Sequence, residues 1–438
     1  VQSAEFFGPS VFGYETDNLR RAAFISVHTS PLASLGGKDA GGMNVYVREL
    51  ACNVAKLGLP VDVFTRRTSI DAPEVLEICK GVNLINIAAG PPEPVDKNSL
   101  YLHLPEFAEH MALYALRAGV RYDVAHAHYW LSGWTAHLLK RYWDLPFALM
   151  FHTTAHMKNR VSPVAEHETT LRATKEHRLV TLADSIIAAN PDERADMIWR
   201  QHAPSDKICT IPPGVDIELF QPMNKTDSRN TLGIETDRKM VLFVGRIDPI
   251  KGIDTLLEAF AHVSTQHLGT LLAIVGGDLD ENDEPVGPLA AVKREAAGLG
   301  IIDNVRFFGS QPQNQLPIFY SAADVVHVPS RYESFGLVAV EAMACGAPVV
   351  ASRAGGLIFT IEDGETGFLI AIDHPAEHAE AICRILDDTG LGASMGLNGH
   401  LAAQKFSWNA VASSVIHVYK RLAEGHRNNL CCDEEIYA

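Results

Sequence analysis

Short apolar runs of strand length alternate with helix-length stretches through most of this chain, and no other feature constrains its fold as much. Strands buried on both faces read as continuous Val, Ile and Leu runs. Strands that take turns with helices build parallel sheets covered on both sides. The first block predicts strands near 22–27, 61–65, 83–87, 123–126, 147–151, 185–189 and 208–211. The stretch Ile211-Pro-Pro-Gly214-Val-Asp216 then breaks the pattern. A second block predicts strands near 240–244, 271–275, 304–308, 324–328, 347–351 and 367–369. The fold class that follows is α/β, with two doubly wound, Rossmann-like domains of similar size. Their ligands are expected at strand carboxyl ends, in the cleft where the domains face each other. The expected divisions are an irregular extension at 1–20, domains at 21–213 and 214–406, a last helix at 407–425 capped by Ser407, and a polar tail at 426–438.

Composition narrows the partners. The 438 residues are 47% apolar and 21% charged, ordinary values for a globular protein able to bury sizeable cores. A formal charge of -16 argues against nucleic acid, although local Arg and Lys can still hold an anion. There is no run of eighteen apolar residues to span a membrane, and the first twenty residues lack a basic start followed by an apolar core. The seven cysteines are scattered without a C-x2-C pair. Neither a disulfide framework nor a zinc site is expected, and the cytoplasm is the expected location. Adjacent Cys431 and Cys432 in the polar tail are expected to be exposed thiols.

Three segments carry chemistry. Glu333 and Glu341 stand eight residues apart around Gly336, just after the apolar run Val325-Val326-His327-Val328-Pro329. The reading is strand, loop, then a helix starting near Phe335 to Leu337, with Glu341 two turns into it. Carboxylates so placed accept hydrogen bonds from hydroxyl pairs, and the helix N-terminus between them suits a phosphate. After the strand near 240–244, a glycine turn delivers Arg246 and Lys251, a planar fork and a mobile point charge that together suit a diphosphate. Near the N-terminus, Gly41-Gly42-Met43-Asn44 opens a helix where a phosphate can approach backbone N–H groups. A nucleotide-sugar offers all the partners these groups need. Seen singly, each segment also reads as an ordinary turn or a solvated charged face.

Together, in this order and spacing, the segments resemble the retaining glycosyltransferases of the GT-B fold, family four, from about residue 21 to about residue 425. The later Gly355-Gly356…Glu362-Asp-Gly-Glu-Thr-Gly367 stretch adds to the likeness. Within the family, His28-Thr-Ser-Pro31, Gly41-Gly-Met-Asn-Val-Tyr46, Asn86-Ile-Ala-Ala-Gly-Pro91 and His126-Ala-His-Tyr-Trp-Leu-Ser-Gly133 look like the branch that glycosylates D-inositol 3-phosphate. Sucrose-phosphate synthases are the nearest rivals, but they usually carry Gln where this chain has Met43.

The resemblance implies a GT-B architecture in which the last helix crosses back onto the first domain, with hinges near 214–220 and 400–407. It implies transfer of a hexose, GlcNAc before others, from a UDP-sugar to a phosphorylated polyol, with retention of configuration and no cofactor. Donor contacts would come from Gly42, Arg246, Lys251, Glu333, Ser334, Phe335, Gly336, Leu337 and Glu341. His152, Arg246, Lys251 and Glu333 would be catalytic. Acceptor contacts would come from Asn44, Lys97, Tyr129, Thr153, Lys158 and Arg172, with Lys97, Tyr129, Thr153 and Arg172 on the phosphate. Expected partners are the UDP-sugar donor and a phosphorylated small-molecule acceptor, without nucleic acid or a membrane span; a homodimer is allowed for. The chain departs from the family at Pro191, where Thr is usual, and at Ile358, where Pro is common. Pro191 is expected to alter a loop over the crevice.

Other readings use the same residues. A UDP-GlcNAc 2-epimerase on this fold would not need the phosphate set, and a sugar-nucleotide sensor need not keep it. A dehydrogenase would need the Gly-x-Gly-x-x-Gly that is missing after either first strand. Asp278 and Asp280 resemble the metal-holding Asp-x-Asp of another transferase fold, but their acidic, loop-like setting reads as a solvated insertion, so no metal is expected.

Overall fold

The computed structural model describes residues 19–33, 42–161 and 168–425. The first sheet holds β1 (Ala22–Ile25), β2 (Val61–Arg66), β3 (Val75–Cys79), β4 (Val82–Ile87), β5 (Val124–His128), β6 (Phe147–Met150), β7 (Ser185–Ala188) and β8 (Ile208–Thr210). Their order is β3-β4-β2-β1-β5-β6-β7-β8, parallel throughout except for β3. β1, β2, β5, β6 and β7 are buried at every position, as continuous apolar runs covered on both faces should be.

The second sheet contains β9 (Met240–Val244) and β10 (Leu271–Val275); a two-stranded ribbon of β11 (Asp278–Leu279) and β12 (Pro285–Val286) follows. The sheet is completed by β13 (Val305–Gly309), β14 (Val325–Val328), β15 (Val349–Ser352) and β16 (Gly367–Ile370), in the order β13-β10-β9-β14-β15-β16. All pairings in it are parallel. The α/β class with two Rossmann-like sheets is therefore present.

Three features differ from expectation. β3 pairs antiparallel on the edge; its half-exposed residues, with Glu77 among them, do not form a buried-type run. The acidic stretch at 278–286 is a small ribbon instead of a loop, and Asp280 Oδ1 accepts from the N–H groups of Asn282 (2.8 Å) and Glu284 (3.0 Å). Cys52 and Cys79 form a disulfide, with Cα atoms 6.2 Å apart, and Cys209 is also disulfide-bonded. The helix Gly42–Lys56 lies against the β3–β4 edge, so cysteines 27 positions apart meet although no spacing motif joins them. The expected thiols Cys431 and Cys432, most of the 1–20 extension, and the 426–438 tail lie outside the described residues.

The last helix, Trp408–Ala423, starts where Ser407 accepts from Ala410 N–H and packs along Gly42–Lys56. Tyr419 Oη meets His126 Nδ1 at 2.6 Å, and the Trp408 and Tyr46 rings lie edge to face with centroids 5.5 Å apart. Val215 N–H donates to Phe406 O at 2.7 Å, so the two passages between the sheets run side by side. Among the described residues, no helix is long and apolar enough to cross a membrane.

Candidate active site

Two helix N-termini face each other between the sheets. One belongs to Gly42–Lys56, the other to Leu337–Ala344, and a Cβ built on Gly42 would lie 3.4 Å from Leu337 Cδ1. Each delivers orphan N–H groups and a positive dipole end to the same space, which suits an anion. Asn190 ties the two sides together: its amide donates to Ser334 O, while its Oδ1 caps the Pro191–Gln201 helix by accepting from Glu193 N–H at 2.8 Å. Pro191 is the first residue of that helix, where its missing N–H is no loss, so the departure from Thr strengthens a helix start.

On the second domain, β9 leads into a short turn that brings up two cations. Asp248 Oδ1 accepts from Ile250 N–H at 3.0 Å, and the turn closes at Gly252 with φ 67°. A Cβ there would lie 2.1 Å from Pro329 O, so only glycine fits. Lys251 at the end of this turn reaches Glu333 Oε2 at 2.5 Å. Arg246 is exposed and, among the described residues, makes only a long contact, 3.7 Å, to Asp248. The loop carrying Glu333 rests on Gly355, where φ is 49° and a Cβ would lie 2.2 Å from Glu333 O. Phe335 is buried against Phe406, with ring centroids 5.4 Å apart, so its side chain joins the core beneath the cleft.

Glu341 lies one turn into its helix instead of two, and it is buried. Burial pushes its carboxyl up to about 7, while hydrogen bonds from Tyr320 Oη (2.9 Å) and Gln313 pull the other way. Gln313 Oε1 in turn accepts from Arg48 of the first domain at 2.9 Å. Gly336, with φ 93°, is the N-cap of this helix and Leu337 its first residue, while Ser334 O accepts from Asn190.

On the first domain, His152 follows β6 with φ 62°, a conformation that a non-glycine residue adopts only when its surroundings hold it. Its Nε2 lies 3.3 Å from His128 Nδ1, and its ring meets Tyr46 edge to face. Burial pushes its imidazole down to about 3, so it is neutral near neutral pH. Tyr129, with φ 78°, starts the next helix and lies under Arg172, whose Cζ is 4.7 Å from the ring centroid. Arg172 itself is buried. It bonds Thr153 O (2.7 Å), Glu176 (2.6 Å) and Glu168 (3.0 Å). Lys158 pairs with the same Glu168 at 2.7 Å, and Lys97 is close enough to act on Glu168 and His28.

Most of the expected acceptor set therefore converges, but around carboxylates the sequence reading did not weigh. Glu168 and Glu176 stand four residues either side of Arg172, a helical spacing that would have signalled their pairing. Asn44 is buried, and its amide donates to Thr29 Oγ1 (2.7 Å) and Ser30 O (2.6 Å), which places it under the loop after β1. His128 beside His152 and Asn190 beside Ser334 belong to the same region, and neither stands out in its local sequence.

Residues 40–219 match the family described as Glycosyltransferase Family 4, and residues 224–401 match Glycosyl transferases group 1. A D-inositol 3-phosphate glycosyltransferase of Corynebacterium diphtheriae is 40% identical over 408 residues, 91% of this chain and 94% of that protein. The chain belongs to the GT-B glycosyltransferases. Among solved structures, this glycosyltransferase is similar to the sucrose-phosphate synthase of Thermosynechococcus elongatus, with 36% identity and a TM-score of 0.83 over 93% of this chain and 100% of that one. It shares its fold with Anabaena Alr3699/HepE, solved in complex with UDP and glucose, at 21% identity and a TM-score of 0.71 over 92% of this chain and 100% of that one.

Proposed function

We propose that this glycosyltransferase moves GlcNAc from UDP-GlcNAc to inositol 3-phosphate with retention of configuration. The observation that carries the reading is the opposition of two cationic sets across one cleft. Lys251 pairs with Glu333 on one side, with Arg246 on the same turn near Asp248, and Arg172, Lys158 and Lys97 gather on the other. The first set suits a diphosphate leaving group, on which negative charge grows as the anomeric bond breaks. The second suits a phosphomonoester, which carries about -1.5 to -2 charges at neutral pH. Glu341 offers a buried acceptor for the ribose diol, and Glu333 one for sugar hydroxyls. In the retaining route favoured here, the acceptor hydroxyl attacks on the leaving-group face and its proton passes to the departing phosphate. No carboxylate nucleophile is needed. The neutral His152 would hold a donor-sugar hydroxyl.

The near-full-length relatives named D-inositol 3-phosphate glycosyltransferase support this acceptor. A second reading is sucrose 6-phosphate formation from UDP-glucose and fructose 6-phosphate, favoured by the 36% identity to a sucrose-phosphate synthase. A donor-by-acceptor screen read by mass spectrometry separates them. The expected product is GlcNAc-inositol phosphate; sucrose 6-phosphate in its place would replace this reading with the second.

Arg172→Lys is expected to raise the acceptor KM about tenfold, with the donor KM little changed, because a point charge replaces a planar fork. Lysine is the informative replacement: alanine would leave Glu176 buried without its cation, which by itself destabilises by about 3–5 kcal/mol. Equal shifts in both KM values would remove Arg172 from the acceptor site. Turnover is also expected to persist after exhaustive chelation, because Arg246 and Lys251 face the developing charge while Asp280 caps its own turn. Activity that vanished on chelation and returned with magnesium or manganese would overturn metal independence.

A further inference from the structure

The two carboxylates on Arg172 differ in kind. Glu176 is built in: its Oε2 also accepts from Ala155 N–H at 2.6 Å, so it holds Arg172 and the start of the Ala155–Val161 helix together. With Thr153 O, it fixes the guanidinium without help from Glu168. Glu168 lies just ahead of the Thr170–Leu182 helix, outside its N-cap Thr169, and among the described residues its backbone N–H donates to Asn159 Oδ1 at 2.7 Å. Its side chain is only 5% exposed, and Arg172 Nη1 and Lys158 Nζ both bond Oε1, at 3.0 and 2.7 Å. Burial alone would push its carboxyl up, but Arg172, Lys158 and Lys97 together hold it below the usual carboxylate range. The charged residues assigned to the acceptor phosphate thus converge on one carboxylate.

We propose that Glu168 is a specificity-determining residue: its carboxylate occupies the anion position between Arg172 and Lys158, and an acceptor gains that position only by displacing it with a phosphate. This rests on the phosphorylated-acceptor reading above and deepens it. A phosphate brings three acceptor oxygens and nearly twice the charge, so it can replace the two charge-assisted bonds that Glu168 gives up. A neutral polyol hydroxyl cannot. An unphosphorylated acceptor therefore meets a site already filled, and Arg172, held by Glu176 and Thr153 O, is in place for the phosphate once Glu168 swings out.

The test uses the full chain and inorganic phosphate as the probe, measured by calorimetric titration. Glu168→Gln keeps the shape but removes the competing charge, and it should bind phosphate about tenfold more tightly than the parent. Glu168→Ala should shift in the same direction, and melting curves of both variants show that they are folded. Unchanged or weaker phosphate binding in the folded variants overturns the proposal, because a carboxylate that merely orients Arg172 would give that result. The acceptor reading is scored separately in the parent chain, by product formed from inositol 3-phosphate and from inositol. Equal use of both removes the phosphate site altogether. Strict dependence on the phosphate, with unchanged affinity in Glu168→Gln, removes only the role of Glu168.

Discussion

Arg246→Ala is expected to lower kcat/KM by about a hundred- to a thousandfold, the usual effect of losing one preorganised donor aimed at developing charge. Three features put the loss in the chemistry and not in the fold. Arg246 follows the carboxyl end of β9, a central strand of the second sheet, where ligands of such sheets bind. Its side chain is 47% exposed and, among the described residues, pairs only loosely with Asp248 at 3.7 Å, so removing it empties no core and leaves no buried charge alone. Stability should therefore stay within about 0.5 kcal/mol of the parent. In the proposed reaction the donor's ground state already carries the diphosphate charge, so some loss should appear in the donor KM. The larger part should fall on kcat, because the charge on the leaving oxygen grows only as the bond breaks. Steady-state kinetics with both substrates varied measures the split. A change under about threefold would take Arg246 out of the diphosphate site.

Folding stability is expected to fall steeply as the pH drops below about 6.5. Burial holds His28, His126 and His152 down at about 3 and His378 at about 4, and it holds His128 and His327 well below the ordinary imidazole value. The sign follows from proton counting. Between the unfolded value near 6.5 and the lower folded values, the unfolded chain binds protons that the folded chain refuses. Each such group therefore contributes stability that is present above about 6.5 and lost as the pH falls toward its folded value, by about 1.4 kcal/mol per pH unit. Glu341 and Glu193, both pushed up to about 7 by burial, act the other way: the stability they contribute is present below their unfolded value and is lost as the pH rises through about 7. They offset part of the imidazole effect between about pH 4.5 and 6.5 but are outnumbered by it. Denaturant titrations at pH 7.5 and 5.5 measure the difference. Equal midpoints and slopes at both pH values would show that these imidazoles stay accessible to protons in the folded chain.

The histidines also mark how far local sequence reaches. Nineteen histidines are visible in the sequence, and the placement of His152 at a strand's carboxyl end, before a crevice, is legible there. Its positive φ and its contact with His128 are not, because they depend on how β5 and β6 lie side by side. Likewise His126 meets Tyr419 across 293 positions, which no pattern of nearby residues encodes.

The α/β class, the alternation that produces two parallel sheets, and the helix start between Glu333 and Glu341 are legible in the residues alone. These follow from side-chain periodicity, strand-length apolar runs and turn residues, all of which act over a few neighbouring positions. Cap chemistry at Ser407 is local in the same way. Tertiary structure alone decided the antiparallel edge strand β3, the Cys52–Cys79 bond, and the meeting of Lys251 with Glu333 over 82 positions. It also decided that Arg172, legible as a cation on a helix, would be buried between two carboxylates while Arg246 stayed open to solvent. The physical reason is that a charge's surroundings, and hence what it can bind, are set by chain segments distant in sequence that pack around it; its own neighbours fix only which way it first points.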